Sequence, residues 1–113
     1  MNSKSVIPRK VANRDVDEAI EHYLNEDAAQ AALGFIGALE QAYAHIGLRP
    51  AIGSPRYAHE LDLPGLRSWP LTGYPYLVFY IERGDHVDVW RVLHGQRDIP
   101  GWLFGDLGGV RKD

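Results

Sequence analysis

The side chains able to move protons or grip anions in this chain are few. They include five histidines, His22, His45, His59, His86 and His94, and the arginines Arg67, Arg91 and Arg97. The histidines fall at spacings that match no zinc-protease or other ligand motif, so no metal is expected. The chain has no cysteine, which excludes thiolate catalysis, disulfide chemistry and cysteine-based zinc sites. No nucleophile elbow and no phosphate-binding loop is present. Gly105-Asp106-Leu107-Gly108-Gly109 has the composition of a tail, and no cofactor is implied. His94 precedes Gly95 at the end of a strand, where it is expected to donate to a backbone carbonyl and hold the turn. Arg67 and Arg91 read as sheet-surface residues paired with Asp88 or Glu60. Arg97-Asp98 reads as a local ion pair worth little if exposed. Trp69, Trp90 and Trp102 suit a core or its rim.

These residues depend on the stretch from 66 to 98. Residues 76–81 and 87–93 are rich in β-branched and aromatic side chains, as strands are. Between them, Glu82-Arg83-Gly84-Asp85-His86 predicts a hairpin loop with Gly84 at positive φ. Simple alternation places Val87, Val89, Arg91 and Leu93 on one face of the second strand and Asp88, Trp90, Val92 and His94 on the other. Neither face is purely polar, which predicts a central strand. Residues 66–69 add a third strand, turned by Thr72-Gly73, to make an antiparallel meander.

Upstream, Val6-Ile7-Pro8 predicts a short strand, at an edge or end because Pro8 lacks an N–H. A first helix carries Ala12, Val16, Ala19, Ile20, Tyr23 and Leu24 on one stripe and Asp15, Asp17, Glu18 and Glu21 on its outer face. Its start is open on pattern alone, with Asn13 as cap or Asp15 and Glu18 as a capping box. Asp27 is placed as N-cap of a second helix, Gly47 as its C′ residue, and Pro50 bars its continuation. Gly34 and Gly37 suit close approach of the first helix. The short connection makes the pair an antiparallel hairpin. Residues 49–63, punctuated by prolines and Gly53, predict a surface crossing with little regular structure. Ile99-Pro100-Gly101-Trp102-Leu103-Phe104 either packs as a short helical turn or awaits a partner. Residues 105–113 read as a flexible tail. The fold class is α+β: an N-terminal strand, a two-helix hairpin on a small antiparallel sheet, and a C-terminal helical turn, in one domain over residues 1–104.

The 113 residues carry a net charge of −3, unevenly spread. Residues 1–14 hold four basic and no acidic groups, whereas residues 15–62 hold nine acidic and two basic. The chain lacks the overall basic footprint of a nucleic-acid binder, so direct nucleic-acid binding is not expected. No stretch has the apolar length of a membrane span, and the polar N-terminus lacks a signal-peptide core, so a cytoplasmic setting is expected.

Leu63-Pro64-Gly65-Leu66-Arg67-Ser68, then Tyr76-Leu77-Val78-Phe79-Tyr80, then Arg91-Val92-Leu93-His94-Gly95-Gln96-Arg97-Asp98-Ile99 resemble toxins of the RelE/ParE superfamily, the ParE branch most closely. The resemblance covers roughly residues 9 to 103, and the third run is its most specific part. It puts the start of the first helix near Lys10 or Val11. It implies a toxin of a type II toxin–antitoxin module, neutralised by a cognate antitoxin and poisoning DNA gyrase by contact, with no active site needed. The RelE branch implies an alternative, cleavage of mRNA on the ribosome. That chemistry would enlist Arg67 and Arg97 for charge and Tyr76 or His94 as base, since arginine cannot deprotonate a hydroxyl. A third reading is a non-toxic co-repressor acting with its antitoxin. The candidate partner contacts are Arg67, Arg91, Arg97, Trp102, Leu103 and Phe104, with the outer grooves of the helical hairpin.

Overall fold

The computed structural model describes residues 3–96 together with Ile99 and Gly101. Strand β1 (Ser5–Pro8) leads into helices α1 (Lys10–Asn25) and α2 (Ala29–Leu48). A single 3-10 turn (Pro50–Ile52) and helix α3 (Arg56–Leu61) follow, then strands β2 (Leu66–Pro70), β3 (Tyr76–Glu82) and β4 (His86–His94). The sheet order is β1-β4-β3-β2. The predicted meander forms as β2-β3-β4, and β1 joins it parallel to β4, with Val6 opposite Val87, so the sheet is mixed.

The strand β4 is central, but its faces do not follow simple alternation. Phe79 pairs with Arg91 and Tyr80 with Val89, leaving Trp90 as the extra residue of a β-bulge. The bulge shifts the pattern by one. Val87, Val89 and Val92 therefore pack with the helices, while Trp90 and Leu93 pack on the opposite face. The helix-side core joins Ala12, Ala19, Phe35, Leu39 and Ile46 to Val78 and Tyr80. The opposite core gathers Leu66, Phe79, Trp90, Leu93 and Ile99, with Tyr57 and Leu61 of α3 against it. Residues 49–63 thus hold more regular structure than their prolines suggested, because α3 supplies the cover for the second face.

Several boundaries differ from those read from pattern. α1 begins at Lys10, where the resemblance placed it and earlier than either pattern cap, with Arg9 at the N-cap and no side-chain cap, and Asp15 is buried rather than on the outer face. Asp27 ends α1 instead of capping α2. It takes φ +60°, its N–H donates to the Leu24 carbonyl at 3.1 Å, and the Ala28 N–H donates to the Tyr23 carbonyl at 2.9 Å. These bonds form a Schellman motif with aspartate where glycine is usual. Gly47 lies inside the last turn of α2. A Cβ there would stand 2.7 Å from the Lys4 carbonyl, and the Gly47 carbonyl accepts the Lys4 N–H at 2.9 Å, so this glycine admits β1. Gly34 faces the Tyr74 hydroxyl rather than α1, and a Cβ on Gly37 would meet nothing within 4 Å. Gly84 does not use the left-handed region; the Arg83 N–H and His86 carbonyl close its turn at 2.8 Å. Among the described residues no helix is long and apolar enough to cross a membrane.

Candidate functional site

Arg67 sits on β2 opposite Tyr80 and turns one guanidinium nitrogen, Nη1, inward, donating to the Gly53 carbonyl at 2.7 Å. The Tyr80 hydroxyl accepts the Gly53 N–H at 2.9 Å and donates to the Pro50 carbonyl at 2.7 Å. A Cβ on Gly53 would come 2.5 Å from that hydroxyl, so the latch needs glycine. Arg67 also borders a cleft beside α3 with Ala58, His59 and Asp62.

Arg91 is buried, with Asp15 as its partner in place of Asp88 or Glu60. Its Nε and Nη2 donate to the two Asp15 carboxylate oxygens, each at 2.7 Å. Asp15 also accepts the backbone N–H of Val92 at 3.1 Å. β1 pairs only as far as Val89, so this carboxylate takes up a strand N–H that β1 does not reach. Asp88 belongs to a second network. Arg9 donates to it through two nitrogens, Arg83 through two more, and the Trp90 indole N–H lies at 3.3 Å. The Arg9 guanidinium stacks 4.5 Å from the Trp90 ring centroid. Burial opposes the ionisation of Asp88, yet hydrogen bonds and charge from Arg9 and Arg83 outweigh it and hold the carboxyl below its usual range. Glu60 pairs with Arg56 within α3.

Tyr76 and His94 do meet. They are register partners on β3 and β4, and their rings stand edge to face at 5.2 Å. The Nδ1 atom of His94 accepts the Gln96 N–H at 3.1 Å, so the turn is held with the polarity opposite to that expected. Both residues line a cleft of about 220 Å³ between α1 and the end of the sheet, with Asp15, Glu18 and His22 on its helical wall. Arg67 is absent from this cleft, because its register partner Tyr80 lies four residues along β3 from Tyr76. Arg97, Trp102, Leu103 and Phe104 lie outside the described residues.

The pattern reading weighed His22 only as one of five scattered histidines and put Asp15 and Glu18 on the outer face of the first helix, so it did not join the three into a site. The signal was present: with Ala19 they stand at i, i+3, i+4 and i+7, one face of a helix. What the sequence did not give was the opposing wall. No group of three or more metal-binding side chains occurs among the described residues.

Comparison with curated proteins gives no match. A chain of the "Chromosomal ParDE TA system from P. aeruginosa" shares the fold with a TM-score of 0.68 at 18% identity, over 81% of this chain and 96% of that one. The sequence profile described as "ParE toxin of type II toxin-antitoxin system, parDE" matches residues 6–99, from β1 through the Arg91–Ile99 run and both core layers between them. With fold and sequence agreeing over that span, the chain belongs to the ParE toxin family of type II toxin–antitoxin systems.

Proposed function

We propose that this chain is the toxin of a toxin–antitoxin pair, held inactive by a short antitoxin, and that it acts by binding DNA gyrase and stabilising its cleaved-DNA state. The observation that carries this reading is the family match over residues 6–99. Two internal contacts support docking over RNA cleavage. Arg67 is engaged with Gly53 and Arg91 with Asp15, and Arg67 and His94 border separate clefts. A transition-state phosphorane needs a cation and a proton carrier at one point. Arg67, Arg97, Trp102, Leu103 and Phe104 remain proposed partner contacts, while Arg91, being buried, acts from beneath the surface.

Purified toxin added to a gyrase supercoiling reaction is expected to inhibit it and to accumulate cleaved DNA, with both effects removed by the antitoxin. Undisturbed supercoiling at excess toxin defeats the gyrase reading. Because Tyr76 and His94 share a cleft, a translation extract analysed by primer extension is the companion measurement. Discrete transcript cuts lost in His94→Ala would favour the ribonuclease instead.

A further inference from the structure

The sheet closes its two edges by different means. At β1 the Arg9 N–H donates to the Val89 carbonyl, so by alternation Lys4, Val6 and Pro8 turn their backbone groups away from β4. The Gly47 carbonyl takes the Lys4 N–H at 2.9 Å, and Pro8 has no N–H, so among the described residues that edge keeps one outward donor, on Val6. At β2 the outward residues are Leu66, Ser68 and Pro70. The Leu66 N–H donates to the Leu63 carbonyl at 3.1 Å, and Pro70 again has no N–H. Ser68 is covered by the chain itself. Its N–H donates to the Ser54 carbonyl at 3.0 Å, and its carbonyl accepts the Ser54 N–H at 2.8 Å, an isolated antiparallel bridge. Gly53-Ser54 therefore lies where the next strand of the sheet would run.

We infer that Gly53-Ser54 is an edge guard: fastened by Tyr80 and Arg67, it occupies the outer edge of β2 and keeps a second copy of this chain from pairing there. One bridge of two hydrogen bonds gains little against the cost of ordering a connecting segment. The fasteners supply the difference. The fully buried Tyr80 sends its hydroxyl to the Gly53 N–H and the Pro50 carbonyl, and Arg67 Nη1 holds the Gly53 carbonyl. The second copy follows from the geometry of β2. With the guard lifted, Ser68 offers an N–H and a C=O, flanked by residues that offer carbonyls alone. Two such strands related by a two-fold axis set Ser68 opposite Ser68, and each satisfies the other. An open edge of this kind is the usual route to edge-to-edge association. The guard depends on backbone geometry and holds whatever target the toxin meets.

Hydrogen exchange and sedimentation of the full chain test the guard. Tyr80→Phe removes two fastening bonds and strands the Gly53 N–H. It is expected to speed exchange at the Ser54 and Ser68 amides by about tenfold or more, while the β4 amides keep the parent rate. Gly53→Ala is an independent release, because its Cβ would stand 2.5 Å from the Tyr80 hydroxyl and 2.9 Å from the Ser68 carbonyl. The parent is expected to sediment as a monomer, and each released variant to dimerise as concentration rises. Adding Ser68→Pro is expected to abolish that dimer. It deletes the outward N–H, costs β2 no bond to β3, and is a substitution that an edge strand tolerates. Unchanged exchange in both variants overturns the fastening. Faster exchange without a dimer, a parent that dimerises as readily, or a dimer that survives Ser68→Pro overturns the guard.

Discussion

At the scale of single residues, two carboxylates and one hydroxyl decide much of the stability. Asp15 and Arg91 are each 6% exposed at the side chain and joined by two short hydrogen bonds. Removing one member strands the other charge, so Asp15→Ala is expected to cost about 3–5 kcal/mol, read from urea unfolding. Replacing the pair with apolar side chains of similar volume should return most of that loss. Tyr43 shows the opposite case. Its buried hydroxyl finds no hydrogen-bond partner among the described residues, and burial, with the Asp15 charge adding to it, pushes its pKa up to about 12. Tyr43→Phe is therefore expected to be neutral or stabilising. The sign of the pH dependence follows. A raised folded pKa gives stability that is whole below the unfolded value of 10.0 and lost as pH climbs towards 12, so the phenylalanine variant should hold up better over that range. Asp88 works at the acid end. Its lowered pKa contributes stability above the unfolded value near 3.8, lost as pH falls below it. Denaturation midpoints should accordingly fall less steeply with acid in Asp88→Asn than in the parent.

At the scale of elements, the turns carry strain in identifiable places. Asp27 holds φ +60° at the end of α1, a conformation that costs an L-residue roughly 1–2 kcal/mol and glycine almost none. Asp27→Gly is expected to raise the melting temperature without altering the hairpin. Gly47→Ala should act in reverse. The added methyl would press on the Lys4 carbonyl, loosening β1 and the amide protection of residues 4–7 in hydrogen exchange. The bulge at Trp90 is the element-level feature that shapes both cores. Without it, Val92 would turn away from the helices and Arg91 would lose its register against Phe79.

At the scale of the whole molecule, one sheet serves two cores, and neither layer has an independent support. Trp69 packs with the helix-side cluster, while Trp90 belongs to the α3-side cluster. Variants retaining either Trp69 or Trp90 as the fluorescent reporter are expected to give urea curves that coincide with far-UV circular dichroism. Separate midpoints would show that the α3 layer opens on its own. The charge layout is also a property of the whole: the basic N-terminal residues Lys4 and Arg9 pair with Glu82 and Asp88 on the far side of the chain. Apart from Asp15, the hairpin's carboxylates are left facing outward.

Much was legible in the residues alone. Periodicity of three and four gave the helical hairpin, and β-branched runs gave the meander, because both depend on neighbours close in the chain. The Arg91–Ile99 run was specific enough to place the family. Tertiary structure decided the rest. Whether Arg91 is a surface contact or a buried partner of Asp15 depends on a pairing across 76 positions, which no local pattern encodes. The bulge at Trp90 is set by packing on both faces of β4 at once. The cleft exists only where α1 crosses the sheet end, bringing Glu18 and His22 to Tyr76 and His94. Spacing fixes which side chains share a face; only the packed chain fixes what that face meets.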